Sequence, residues 1–159
     1  KKASVRIPDT VKVDGITCKV TGISTNAFKN NSSLKTVTIG KNVTVIGANA
    51  FYGCKKLSKV SGGNSIVKIG GRAFANCVSL NGITIAGTVK SIGKQAFYNC
   101  KKLRTITFKT SALSSKTIGT KAFTGTYSKP TVRVPAKKLN AYKKLLKSKG
   151  MSGKAIYKK

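Results

Sequence analysis

Apolar residues recur along the chain in columns with a fixed interval. Ala-Phe occurs at Ala27-Phe28, Ala50-Phe51, Ala73-Phe74, Ala96-Phe97 and Ala122-Phe123, at spacings of 23, 23, 23 and 26 residues. Four residues before each Ala stands an Ile: Ile23, Ile46, Ile69, Ile92 and Ile118. Leu34, Leu57, Leu80 and Leu103 keep the same period. So do the pairs Val37/Ile39, Ile83/Ile85, Ile106/Phe108 and Val132/Val134, once three residues inserted within 111–116 are allowed for. Columns that march together at this interval are the mark of stacked structural repeats.

One unit runs from Leu34 to Cys54 and opens on the spacing L-x-x-L-x-L-x-x-N, with Asn42 at its end. Val37 and Ile39 alternate with Thr36 and Thr38, a period of two that predicts a strand with the branched pair inward and the threonines outward. Gly47, or Gly70-Gly71 in the next unit, turns the chain, and the Ala-Phe segment that follows has room for one or two helical turns. A unit this short cannot close a core, so stacking must bury the Leu, Val, Ile and Phe columns together. About five such units are expected, with a parallel strand ladder and a second short extended segment near each Ile-Gly. In that stack Phe74 lies in the middle and Phe123 beside the C-terminal end, so truncating Phe74 is expected to cost more.

The motif Val43-x-x-Ile46-Gly47-x-x-Ala50-Phe51-x-Gly53-Cys54-x-x-Leu57-x-x-Val60 resembles the BspA-like leucine-rich repeat of bacterial surface and secreted proteins, over residues 5–134. The resemblance implies an α/β leucine-rich-repeat solenoid used for adhesion or protein binding, located at the cell surface or secreted. It implies no catalytic residues. The expected organisation is a solenoid over 1–134, with 5–22 as an N-terminal capping strand and hairpin around Asp14-Gly15, and a helical cap with a basic tail over 135–159. Leu139, Tyr142, Leu145 and Leu146 share one helix face, Gly150 is placed as its C-cap, and Ala155-Ile156-Tyr157 reads as a last strand. The chain departs from the repeat at four places. Gly62 replaces the second strand hydrophobe, Ser24 the Gly after Ile23, and Asn31 and Thr126 the Cys. Irregularity of the strand ladder is therefore expected at Gly62.

Leu, Ile, Val and Phe supply 40 of the 159 residues, enough for a highly charged chain to fold. The formal charge is +30, from 32 Lys and Arg against 2 acidic residues and no His. That balance removes most enzyme chemistry, because acid-base sites, nucleophile-base pairs and hard-metal cages draw on carboxylates and imidazoles. Asp9 and Asp14 alone could supply them. No catalytic role, cofactor or metal is expected. Cys54, Cys77 and Cys100 repeat with the coils, so their side chains point the same way rather than converge, and they read as buried, reduced core residues. Cys18, out of phase in the hairpin, is structural or a surface thiol. The Phe column reads as core rather than as a stacking platform for bases. No run is long enough to span a membrane. The opening Lys1-Lys2-Ala3-Ser4 has neither Met nor an apolar leader, which reads as a mature or excised segment.

Function is expected on the outward strand face. One file there is Arg6, Thr38, Ser61, Thr84, Thr107 and Arg133; its neighbour includes Thr36, Lys59, Gly82, Thr105 and Thr131. This face is small, hydroxylated and flat, suited to a protein or an anionic glycopolymer of a host or of the cell envelope, although Thr is also an ordinary solvent-facing strand residue. Of the 32 basic residues 28 are Lys, scattered rather than gathered in a groove. Arg forks, by contrast, are what read bases and phosphates. Nucleic acid is therefore expected to bind only non-specifically, and a spacer held by its charge on anionic wall polymers is the alternative function. The chain is expected to be a monomer.

Overall fold

The structure, a computed structural model, describes residues 3–159. Its strands are β1 (Ser4–Arg6), β2 (Thr10–Val13), β3 (Ile16–Lys19), β4 (Gly22–Ile23), β5 (Thr36–Ile39), β6 (Val45–Ile46) and β7 (Lys59–Gly62). There follow β8 (Lys68–Ile69), β9 (Gly82–Ile85), β10 (Ser91–Ile92), β11 (Thr105–Phe108) and β12 (Thr131–Arg133). A 3₁₀ turn at Ala136–Lys138, helix α1 (Leu139–Ser148) and β13 (Ile156–Lys158) complete the chain. They form a parallel-strand solenoid of about six turns. The sixth turn escapes a count of Ala-Phe pairs because it carries α1 instead.

Two ladders run along the solenoid. The longer strands pair in parallel as β1-β5-β7 and as β9-β11-β12-β13, and the two-residue strands as β4-β6-β8-β10, with Ile118 bridging to Ile92. The register is one coil: Val37 lies beside Val60, and Ile106 between Ile83 and Val132. Inward residues of both ladders bury with the Leu column to form one core. The Phe column runs through it as a stack, with ring centroids 5.2, 5.1, 5.4 and 5.4 Å apart from Phe28 to Phe123.

The Ala-Phe segments are turns rather than the expected one-turn helices, and the hydrogen bonds say why. Asn49, Phe51 and Gly53 donate their N–H groups to the next coil, to Gly71, Ala73 and Ala75 carbonyls at 2.9, 2.8 and 2.9 Å. The alternate N–H groups of Ala50, Tyr52 and Cys54 reach back three residues within their own coil. Left-handed Asn49 (φ 53°) and Gly53 (φ 68°) set this alternation, which leaves no run of N–H groups for a helix.

Close approach of coils is what demands Gly after each Ile. A Cβ at Gly47 would lie 2.6 Å from Thr25 N, and one at Gly70 2.6 Å from Ala48 N. Ser24, in the first turn, holds the equivalent place.

At the N-terminal end the β2–β3 hairpin turns at Asp14-Gly15 as expected, and its base is pinned where Asp9 Oδ1 accepts Lys41 N–H at 2.7 Å. All eight of its strand residues are exposed, however, and Ala27 is exposed with Phe28 half-buried. The hairpin therefore does not lie over the first turn as a lid; of this segment Val20 packs on the core. At the other end α1 buries Tyr142 and Leu146. It stops where Met151 N–H bonds to Leu146 O and Gly150 N–H to Lys147 O, with Gly150 at φ 91°, a Schellman closure. The inserted residues before Ile118 fold beneath this helix. Tyr142 Oη donates to Thr110 O at 2.9 Å and accepts from Leu113 N–H at 3.2 Å.

Candidate functional site: the outward strand face

The alternation that buries Val37 and Ile39 turns Thr36 and Thr38 to solvent, and the one-coil register stacks them on their counterparts. Arg6, Thr38 and Ser61 lie side by side on β1, β5 and β7. Thr84, Thr107 and Arg133 do the same on β9, β11 and β12. In the neighbouring file Ser4, Thr36 and Lys59 form one row and Gly82, Thr105 and Thr131 another. Hydroxyls bond along the rows, with Thr36 Oγ1 to Ser4 Oγ at 2.7 Å and Thr38 Oγ1 to Ser61 Oγ at 3.3 Å.

The expected continuous file is divided. β7 and β9 do not pair, so Ser61 and Thr84 face each other across a break. The cause is local. Gly62 and Gly63 have φ of 78° and 67°, and with this backbone the end of β7 stays on β5, Gly62 beside Ile39 and Gly63 N–H on Ile39 O at 3.1 Å, rather than pairing with β9. A Cβ at Gly62 would collide with the Ile39 carbonyl. Without a side chain at 62, the position filled by Ile39 and Ile85 in the flanking coils is empty. A cleft of about 300 Å³ opens there, lined by Ile39, Ile66, Ile69 and Ile83 and edged by Ser61, Thr84, Asn64 and Lys109. The sequence signal for it was Gly62, read as irregularity and not as a cavity. A second hollow, which the sequence did not suggest, lies between α1 and 113–115 and is lined by Leu113, Tyr142 and Leu145 with Lys138 and Lys144 at its rim.

The cysteines sit away from this face. Cys54, Cys77 and Cys100 are buried free thiols, and each Sγ donates to the Phe carbonyl of the preceding coil (Phe28, Phe51 and Phe74) at 3.0, 3.0 and 3.1 Å. Burial pushes all three thiols up, Cys100 to about 12; at Cys77 the adjacent thiols of Cys100 and Cys54 add to the effect. They are inert core, as buried apolar thiols are. Cys18 is exposed. Tyr52 and Tyr98 flank Arg72, whose Nε donates to Gln95 Oε1 at 2.8 Å on the turn side of the coils. Among the described residues no helix is long and apolar enough to cross a membrane.

A family model for the BspA type leucine rich repeat region matches residues 21–149 in six copies. No curated protein matches the chain. Among solved structures, a leucine rich repeat protein of T. pallidum is 30% identical with a TM-score of 0.68, over 84% of this chain and 59% of its own. A leucine rich cell surface protein of Faecalibacterium prausnitzii A2-165 is 30% identical with a TM-score of 0.65, over 86% of this chain and 42% of its own. A leucine-rich repeat protein of Bacteroides capillosus is 33% identical with a TM-score of 0.55, over 57% of this chain and 66% of its own. The chain thus spans between two fifths and two thirds of the length of these relatives.

Proposed function

We propose that this chain, which belongs to the BspA type leucine-rich repeat family, is a non-catalytic binding module of the cell surface or secreted space that holds a protein or an anionic glycopolymer against its outward strand face. The observation that carries the reading is the ordered face itself. Two rows of mostly small hydroxylated side chains, interrupted by Lys59 and Gly82, stand in register on either side of the Gly62 break, one running from Arg6 to Arg133 and Lys158 and the other closing on exposed Ile156. Such a surface offers hydrogen bonds at a fixed spacing and costs little side-chain entropy on binding. A relative described as a cell surface protein supports the location. The net charge of +30 favours a second reading, a spacer held on anionic wall polymers by its scattered lysines.

Salt separates the two. Attraction by Lys to a polyanion falls linearly in log affinity against log salt, through counterion release, and charges beyond ~8 Å are screened at physiological ionic strength. Binding to mucin, heparin and purified teichoic acid is measured from 0.05 to 0.5 M salt. The face reading expects a component that survives at high salt and is lost in Thr84→Lys/Thr107→Lys, which adds bulk to the face while raising the charge. If the double variant binds every polymer more tightly and no salt-resistant component exists, the spacer is the better account.

A further inference from the structure

The cleft between β7 and β9 has the construction of an anchor pocket. Its two sides are tied at one end by Asn81 N–H to Ser58 O at 3.2 Å, and on the far side by Thr88 Oγ1 to Asn64 O and Ile66 O at 3.0 and 2.7 Å. Between these ties the strands part. The floor is branched aliphatic, from Ile39, Ile66, Ile69 and Ile83. Ser61 and Thr84, which come from the two sides of the break in the outward face, line the cleft together with Lys109, which follows β11. A volume of about 300 Å³ is at the lower limit of small-molecule sites. It suits one bulky side chain presented from a larger partner.

The geometry points to this cleft as the seat for a single large apolar side chain, Phe or Leu, carried by an extended acidic segment of a protein partner. The inference rests on the outward face being a binding surface and names the partner class for it. Apolar anchors seated in a dry pocket with a polar rim dominate protein interfaces. Charge complementarity chooses the flanking residues. Lys109 lines the cleft and Lys59 begins the adjoining strand, while of the chain's two carboxylates Asp9 is held by Lys41 N–H at 2.7 Å on the first-turn side of Ile39 and Asp14 lies in the hairpin turn. Carboxylates beside the anchor side chain would meet cations, and the Ser61 and Thr84 hydroxyls would meet the segment's backbone.

The test uses two end-capped peptides, Asp-Glu-Phe-Glu-Asp and Asp-Glu-Ser-Glu-Asp, titrated calorimetrically into the protein at 0.15 M salt. Equal charge cancels the general attraction, so their ratio reports the anchor. The Phe peptide is expected to bind on the order of tenfold more tightly, as burial of one aromatic side chain requires. Val60→Phe, which fills the cleft from β7, should reduce the ratio to one. Asn64→Trp, on an exposed loop position at the rim, should do the same by covering the mouth, and serves if Val60→Phe does not fold. Equal binding of the two peptides to the unaltered protein, or a ratio that survives in the folded variants, overturns the proposal. Saturable binding of decanoate without discrimination between the peptides also overturns it, in favour of a lipid ligand. The face reading fails separately: it stands if the salt-resistant component is lost in Thr84→Lys/Thr107→Lys while the peptide ratio is one.

Discussion

Replacement of Phe74 by Ala would remove the middle of the aromatic stack. Its ring lies 5.1 Å from Phe51 at 10° and 5.4 Å from Phe97 at 3°, and it is fully buried. Truncation of such a residue loses the transfer free energy of the ring and leaves a cavity that flanking coils cannot close, about 3–5 kcal/mol. Two stacking partners are lost at once. Phe28, stacked on Phe51 alone and half-buried, is the internal comparison; Phe28→Ala should cost roughly 1–2 kcal/mol. Phe123, placed by sequence position among the cheaper sites, belongs with Phe74. It is fully buried, with Phe97 stacked on one side and Phe108 edge-on at 6.0 Å. Urea unfolding followed by circular dichroism gives the free energies directly. A thermal scan should show losses of roughly 6–20 °C for Phe74→Ala. Equal and small losses at Phe28, Phe74 and Phe123 would refute the stack as the spine of the molecule.

Three further outcomes can be checked. Cys54, Cys77 and Cys100 should resist thiol reagents in the native protein while Cys18 reacts. Because their folded pKa values are raised above the ~8.5 of a free thiol, the unfolded chain loses protons first, so stability is whole below that pH and falls as pH rises from it toward about 12 at Cys100. The slope approaches about 1.4 kcal/mol per pH unit for each of Cys77 and Cys100 once the unfolded thiols are ionised, measured by urea unfolding from pH 8 to 10.5; Cys77→Ala should flatten it, and an unchanged slope would contradict buried, protonated thiols. Gly47→Ala, whose Cβ would meet Thr25 N at 2.6 Å, should destabilise by about 1–3 kcal/mol. Gly153→Ala, with nothing within 4 Å, should stay within about 0.5 kcal/mol, and parity between the two would remove close coil approach as the reason for the Gly column.

Repetition made the fold legible, and each departure from it has a physical reason visible only when coils are stacked. Cys at the end of a coil donates to the Phe carbonyl of the coil before it. In the first turn the place is taken by Asn31, whose Oδ1 accepts the N–H groups of Ser33 and Leu34 at 3.0 and 3.1 Å. Thr126 bonds back to Phe123 O of its own coil at 3.0 Å. The turns were misread as helices because Ala-Phe flanked by Gly and Asn gives no sign of N–H groups donated sideways. The hairpin was read as part of the N-terminal cap, yet its Val11, Val13 and Ile16 are 43, 52 and 68% exposed. Of the candidate face, the rows and their register were legible. The cleft was not, since a missing side chain at Gly62 becomes a cavity only through the coils on either side, which line it with Ile39 and Ile83.

Ser24 gives the solenoid the character of a terminated polymer. A parallel ladder of identical coils has a growing end, and an open strand edge of that kind is a template for addition of another chain. Growth in register requires that the coil being covered carry no side chain at the Ile-Gly step, as at Gly47 and Gly70. Ser24 puts a Cβ and a hydroxyl where the backbone of one more coil would have to pass. A coil stacked there in register would meet the Ser24 side chain where Gly47 and Gly70 present none, and at the opposite end α1 occupies the place of an Ala-Phe turn.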